Sequence, residues 1–254
     1  MNDLAGNLSI VWPALAAGCL VVLSHVPLGQ QVLKRGIVFI DLAIAQVAAL
    51  GVIIADTAGL ELAGWGTQIA AIAAALVGAA LLTWTEHKRP EVQEALIGIL
   101  FILASTAQIL LLANNPHGGE QLKDLLAGQI LWVSNEQLLH TAILTAAFLL
   151  VWFRWRHLCS GIGFYIVFAV MVTLSVQLVG VYLVFTTLIV PAVATYRHAA
   201  RHQLGLGYAL GFSSYVIGLV VSLVTDLPAS ALVVWCMAVL AVLLHLTGRP
   251  QAAA

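Results

Sequence analysis

Residues 162–196 read IGFYIVFAVMVTLSVQLVGVYLVFTTLIVPAVATY, 35 residues without an acidic or basic side chain. As one straight helix the run would reach about 52 Å at 1.5 Å per residue, far beyond a bilayer core of about 30 Å. As two crossings it gives two short spans with a tight turn near Gly180. The flanking charges favour two. Arg154 and Arg156 precede the run, Arg197 and Arg201 follow it, and only an even number of crossings keeps all four on one side.

Seven further apolar spans follow from the same reasoning applied outward. Nine spans are expected in all, near residues 8–28, 36–55, 64–84, 94–113, 137–153, 162–178, 181–196, 206–225 and 229–247. Lipid offers no partner to a free backbone group, so each span is expected to be helical. The chain is therefore an all-α polytopic membrane bundle of eight to nine transmembrane helices. Lys34 and Arg35, Lys88 and Arg89, Arg154 and Arg156, and Arg197 and Arg201 fall in alternate gaps, with Arg249 in the tail. The other gaps hold only Lys123. The positive-inside rule then puts the N-terminus outside and the C-terminus in the cytoplasm.

Composition agrees. Of 254 residues 62% are hydrophobic and 8% charged, too few charges to cover a soluble domain of this size. A formal net charge of −1 gives nucleic acid no electrostatic footprint. Cys19, Cys159 and Cys236 are scattered and read as small apolar packing residues. The first nine residues lack the basic start of a cleavable signal, so the first run reads as a mature span. Residues 114–136 form the longest polar stretch, an extracytoplasmic loop. Its middle, residues 122–133, is amphipathic and suits the membrane surface, with Trp132 at the interface. Ala70, Ala74 and Gly78, like Gly207 and Gly211, recur at four-residue spacing that lets helix backbones approach.

Asp41 is the most costly residue of the chain, a carboxylate about five residues into the second span. Gln46 follows about 140° round the helix. Two readings stand for each: polar groups on a cation path, or a carboxylate paired with Lys34, Arg35 or a neighbouring helix and an amide bonded across a helix contact. Gln68, Gln108 and Gln177 read as interhelical hydrogen-bonding groups. His117, in the outer loop, could meet an incoming cation. His198 and His202 stand four apart beside Arg197 and Arg201, where positive charge opposes a metal. His25, before Pro27, is expected at a bent helix end. No GxxxxGK[ST] loop and no hydrolase elbow is present, so an ATP-driven reading needs a separate motor.

Three stretches together resemble the permease subunits of zinc/manganese ABC importers. Residues 176–192, VQLVGVYLVFTTLIVPA, are similar to that family's VGxLLVxALLxxPAA. Pro27-Leu-Gly through Lys34-Arg35 to Asp41 and Gly51 resembles its GxxVVLRRMxxxGDALSHAxLPG. Residues 125–134, LLAGQILWVS, are like its LFGxxLxVS, and Asp226-Leu-Pro228 fits before the last span. The matches keep the family's order over most of the chain. Counted back from Gly51, Gln46 stands where the family has a histidine, and Asp41 lies one place earlier than its aspartate.

The resemblance implies one transmembrane permease domain over residues 1–254 in the bacterial cytoplasmic membrane. It implies a homodimer, a separate ATPase subunit that binds ATP and Mg²⁺, and an extracytoplasmic metal-binding protein, with no cofactor bound covalently to this chain. Asp41 and Gln46 would lie on the metal path and His117 at its outer mouth. The family's FDPExAxxxG docking loop is reduced here to residues 154–161, so Arg154, Arg156, His157, Ser160 and Gly161 would form the coupling segment. Three rivals remain open from sequence: a permease for a siderophore or cobalamin chelate, an ion-coupled secondary transporter with Asp41 as its proton-linked group, and a non-transporting membrane scaffold, which leaves Asp41 without a purpose.

Overall fold

The computed structural model describes residues 2–59, 65–155 and 161–247. Among them the chain is helical throughout: α1 (Asn2–Arg35), α2 (Ile40–Thr57), α3 (Trp65–Lys88), α4 (Gln93–Leu112), α5 (Gly118–Ala127), α6 (Asn135–Arg154), α7 (Ile162–Val179), α8 (Val181–Thr195), α9 (Ala200–Thr225) and α10 (Ala229–Thr247). Eight of these are long and apolar enough to cross a membrane; α8, with 15 residues, is the short ninth apolar helix.

The 162–196 run divides at Gly180, which adopts φ +83°. A side chain there would be strained by that φ and would also strike the backbone of Ala127 and Gly128 in the outer loop. Gly128, at φ +69°, meets Val179 and Gly180 in return. The turn is thus built by two glycines packed backbone to backbone. Beyond it α8 runs through the protein interior beside α1, α9 and α10. Leu183, Val184, Thr187 and Leu188 are all buried.

Helix contacts follow the small residues. A Cβ on Gly51 would collide with Ala74 of α3, and Gly78 sits against Val47, so the small stripe of α3 is where α2 docks. Gly207 and Gly211 receive Val26 and Val22 of α1. Gly29 brings α1 onto the Leu188 carbonyl of α8.

One end of the bundle gathers the basic residues. Arg35 closes α1, lies 3.8 Å from Glu86 at the end of α3, and stacks 4.3 Å over Phe164 at the start of α7. The opposite end carries α5, the Ile130–Trp132 turn and the start of α6. There Ser134 and Gln137 form a reciprocal cap: the Gln137 N–H donates to Ser134 Oγ at 3.2 Å and the Ser134 N–H to Gln137 Oε1 at 3.0 Å.

Several local expectations change. α1 continues unbroken to Arg35, so His25 is a fully buried mid-helix residue and not a helix end. Its Nδ1 lies 2.9 Å from Ser24 Oγ and 3.1 Å from the Val21 carbonyl, which gives that nitrogen partners inside its own helix. Lys34 and Arg35 form the last turn of α1 and not a gap. α2 starts at Ile40, so Asp41 lies in its first turn and not five residues in. His198 precedes α9 while His202 lies inside it, so the two do not share a helical face. The amphipathic helix of the outer loop starts at Gly118, earlier than its expected place, and ends where Gly128 turns the chain.

Candidate translocation site

An outer cavity of about 420 Å³ lies between α2, α3, α7 and the outer loop. α2 contributes Ala45, Ala48, Ala49, Val52 and Ile53 to its wall. A second hollow of about 480 Å³ adjoins it, sharing Thr67, Gln137, Gln177 and Leu178. The second is lined by Gln68, Glu136, His140 and Thr141 as well. The wall is polar at the outer loop, through Asp124, Gln129 and Gln137, and carries alanines along α2.

Residues four apart share a helical face, so the stripe Val52, Ala49, Ala45 continues one turn inward to Asp41. That step is about 6 Å along the axis. Asp41 is 1% exposed, and its Oδ1 is buried with no hydrogen-bond partner. The expected pairing with Lys34 or Arg35 is not formed. Arg35 is engaged by Glu86 and Phe164, and Lys34 is exposed. Among the described residues no ion pair reaches Asp41.

Gln46 takes the other face of α2. Gln108 of α4 donates from one amide nitrogen to both the Gln46 backbone carbonyl, at 2.9 Å, and Gln46 Oε1, at 2.8 Å. Both glutamines are buried. This is the helix-contact reading of Gln46, and the interhelical reading of Gln108. Gln177 differs from that expectation: it is exposed and lines the cavity, as Gln68 lines the neighbouring hollow.

His117 stays at the outer rim. Its backbone N–H donates to Asn115 Oδ1 at 3.0 Å, and its ring lies 3.9 Å from Glu120 with both side chains largely exposed. It lines neither hollow. Asp41, Gln46 and His117 are therefore not brought together, and among the described residues no group of three or more His, Cys, Asp or Glu side chains is arranged for a metal. Of the coupling residues, Arg154 ends α6 with its guanidinium 5.9 Å from the Trp155 ring, and Gly161 turns into α7 at φ +54°. Arg156, His157 and Ser160 lie outside the described residues.

One carboxylate escaped the sequence reading. Glu94, in the first turn of α4, accepts the Phe39 backbone N–H on Oε1 at 3.1 Å and so caps the start of α2 from another helix. Its Oε2 is buried without a partner. It sits beside Arg89 and Glu91 in sequence, at a span end where charge is ordinary, and the contact that distinguishes it joins residues 55 apart.

Comparison with known proteins fits this architecture. A PsaBC structure from Streptococcus pneumoniae in complex with Fab contains a chain of the same fold, with TM-score 0.78, 21% identity, and 98% of this chain and 97% of that chain covered. An ABC transporter described as metal-chelate type, in an inward-facing conformation, aligns with TM-score 0.69 and 20% identity over 92% of this chain and 84% of that one. In sequence, the high-affinity zinc uptake system membrane protein ZnuB of Haemophilus influenzae is 27% identical over 256 residues, which span 92% of this chain and 96% of that protein. The profile of the ABC 3 transport family matches residues 7–162 and 157–248. With nearly its whole length covered by that profile, the chain belongs to the ABC 3 transport family.

Proposed function

We propose that this chain is the membrane-spanning subunit of an ATP-driven importer for a divalent metal ion, zinc or manganese. One observation carries the reading: the face of α2 that walls the outer cavity leads inward to Asp41, a buried carboxylate with an unpartnered oxygen. A carboxylate one turn inward from an alanine-lined cavity wall suits a small cation. Its other oxygen is served by the start of its own helix, so Oδ1 is the atom left for a visiting cation, and an intramembrane carboxylate of this kind marks an ion path by default. The likeness to a zinc uptake protein supports the same cargo class.

Family membership supports the rest of this reading. A separate ATPase subunit binds ATP and Mg²⁺ and docks on the basic end of the bundle, near Arg154–Gly161. A solute-binding protein delivers metal to the outer loop, where His117, Asp124 and the polar rim meet it. Two copies of this chain form the complete path in the bacterial cytoplasmic membrane, N-terminus outside and C-terminus inside. The polar rim offers a hydrated ion exchangeable water and amide contacts, and the alanine stretch holds it weakly. Weak holding is what conduction requires, since an ion must leave as readily as it enters. Family membership disfavours the ion-coupled secondary transporter. The charge at Asp41 disfavours a bulky chelate, whose organic shell hides its metal from side chains.

The test is metal accumulation by cells carrying the complete transporter with Asp41→Ala. Radioactive zinc and manganese uptake falls to below about a tenth of the parent while the variant still co-purifies with its ATPase. Parental uptake by an assembled variant removes Asp41 from the path.

A further inference from the structure

The inner end of α2 gathers two carboxylates. Asp41 lies in the first turn of α2, and Glu94 of α4 reaches the same turn through its hydrogen bond to the Phe39 N–H. Each keeps one buried oxygen with no hydrogen-bond partner, Asp41 Oδ1 and Glu94 Oε2. A helix N-terminus offers about half a positive charge, so it offsets only part of one carboxylate. Arg35, the nearest cation to Asp41 in sequence, is held by Glu86 and the Phe164 ring, and Arg89, five residues before Glu94, lies 3.9 Å from Glu91. Among the described residues no ion pair involves either Asp41 or Glu94.

Capping alone accounts for one oxygen of Glu94. It does not account for a second carboxylate one turn below a cavity-lining stripe, almost fully buried and open on one oxygen. Hard divalent cations take several oxygen ligands and are bound by one or two carboxylates completed by water or backbone carbonyls. Two carboxylates from different helices also favour a divalent over a monovalent ion, because the charge they must neutralise is two.

We propose that Asp41 and Glu94 together form a two-carboxylate station for the divalent cargo at the inner end of the path, with Glu94 handing the ion from Asp41 toward the basic face of the bundle. Asp41 meets the ion as it leaves the alanine stripe. Glu94, half-buried at the start of α4, is the last fixed charge before release. The station rests on the import reading above and adds to it a ligand from α4.

The experiment uses the complete transporter with ATPase and binding protein, reconstituted in vesicles, with radioactive zinc and manganese as probes. Glu94→Gln keeps a carbonyl oxygen to accept the Phe39 N–H and removes only the charge, and Glu94→Asn is a second neutral variant. The half-saturating metal concentration for uptake rises at least tenfold in whichever assembles, while thermal stability stays near the parent. Glu94→Asp, which keeps the charge on a shorter arm, recovers part of the loss. A parental half-saturating concentration in an assembled Glu94→Gln or Glu94→Asn transporter overturns the station. If neither neutral variant assembles, Mn²⁺ binding to the purified parental and Glu94→Asp complexes decides. Weaker binding by Glu94→Asp supports the station, and equal binding overturns it. The two readings fail separately: loss of uptake in Asp41→Ala with parental behaviour in Glu94→Gln leaves the importer standing without Glu94, whereas parental uptake in Asp41→Ala removes the path itself.

Discussion

At the scale of single residues, the two polar groups of α2 divide their work by face. Asp41 continues the cavity stripe, and Gln46 turns away to Gln108. Gln46→Leu is therefore expected to cost stability without blocking transport. Removing one side of an interhelical hydrogen bond in a membrane costs about 0.5–2 kcal/mol. A lower melting temperature in detergent, with metal uptake per assembled transporter unchanged, is the expected result. Uptake that collapses in a thermally normal Gln46→Leu protein would move Gln46 back onto the path. The charge of Asp41 was legible in sequence because a carboxylate inside an apolar run has no ordinary use. Its relation to Glu94 was not, nor that of Gln46 to Gln108, because each partner sits on another helix more than 50 residues away. Spacing along one chain gives the face of a residue but not what the neighbouring helix presents to it.

At the scale of elements, the break at Gly180 could be read from length alone, since a run of 35 apolar residues overfills the bilayer. The turn that makes the break possible needs the positive φ and the second glycine at Gly128. Gly180→Ala meets both a strained φ and the outer-loop backbone. Strain of this kind costs about 1–3 kcal/mol per residue, and the collision adds to it. The variant is expected to yield much less folded protein, read as the monodisperse fraction on size-exclusion chromatography. Gly161→Ala, whose φ is also positive but whose surroundings are open, is the milder control. The reach of α1 to Arg35 was not legible, because Pro13 and Pro27 look like helix ends, and here lie within one continuous helix. Tertiary contacts to α8 and α9 hold it through both prolines.

At the scale of the whole molecule, the alternation of basic and neutral gaps matches the way helix ends group in space. Arg35, Lys88, Arg154 and Arg197 stand at the ends opposite the outer loop. With Cys19, Cys159 and Cys236 replaced, single cysteines at Asn115 and Arg154 are expected to label from opposite sides of sealed cells, Asn115 from outside and Arg154 only after permeabilisation. Labelling of both from one side would overturn the nine-crossing arrangement. The bundle architecture was thus readable from hydropathy and charge. The cavity was not, because its polar rim is assembled from Thr67, Asp124, Gln137 and Gln177, residues that look like ordinary interfacial groups one at a time.

The paired glycines at the outer end join distant parts of the chain without any side chain between them. Gly128 ends α5 in the outer loop, and Gly180 is the point where α7 hands over to α8. A contact made of bare peptide planes has no flexible spacer to absorb displacement. Moving the outer loop therefore means moving the start of α8 with it, so that surface and interior shift as one piece.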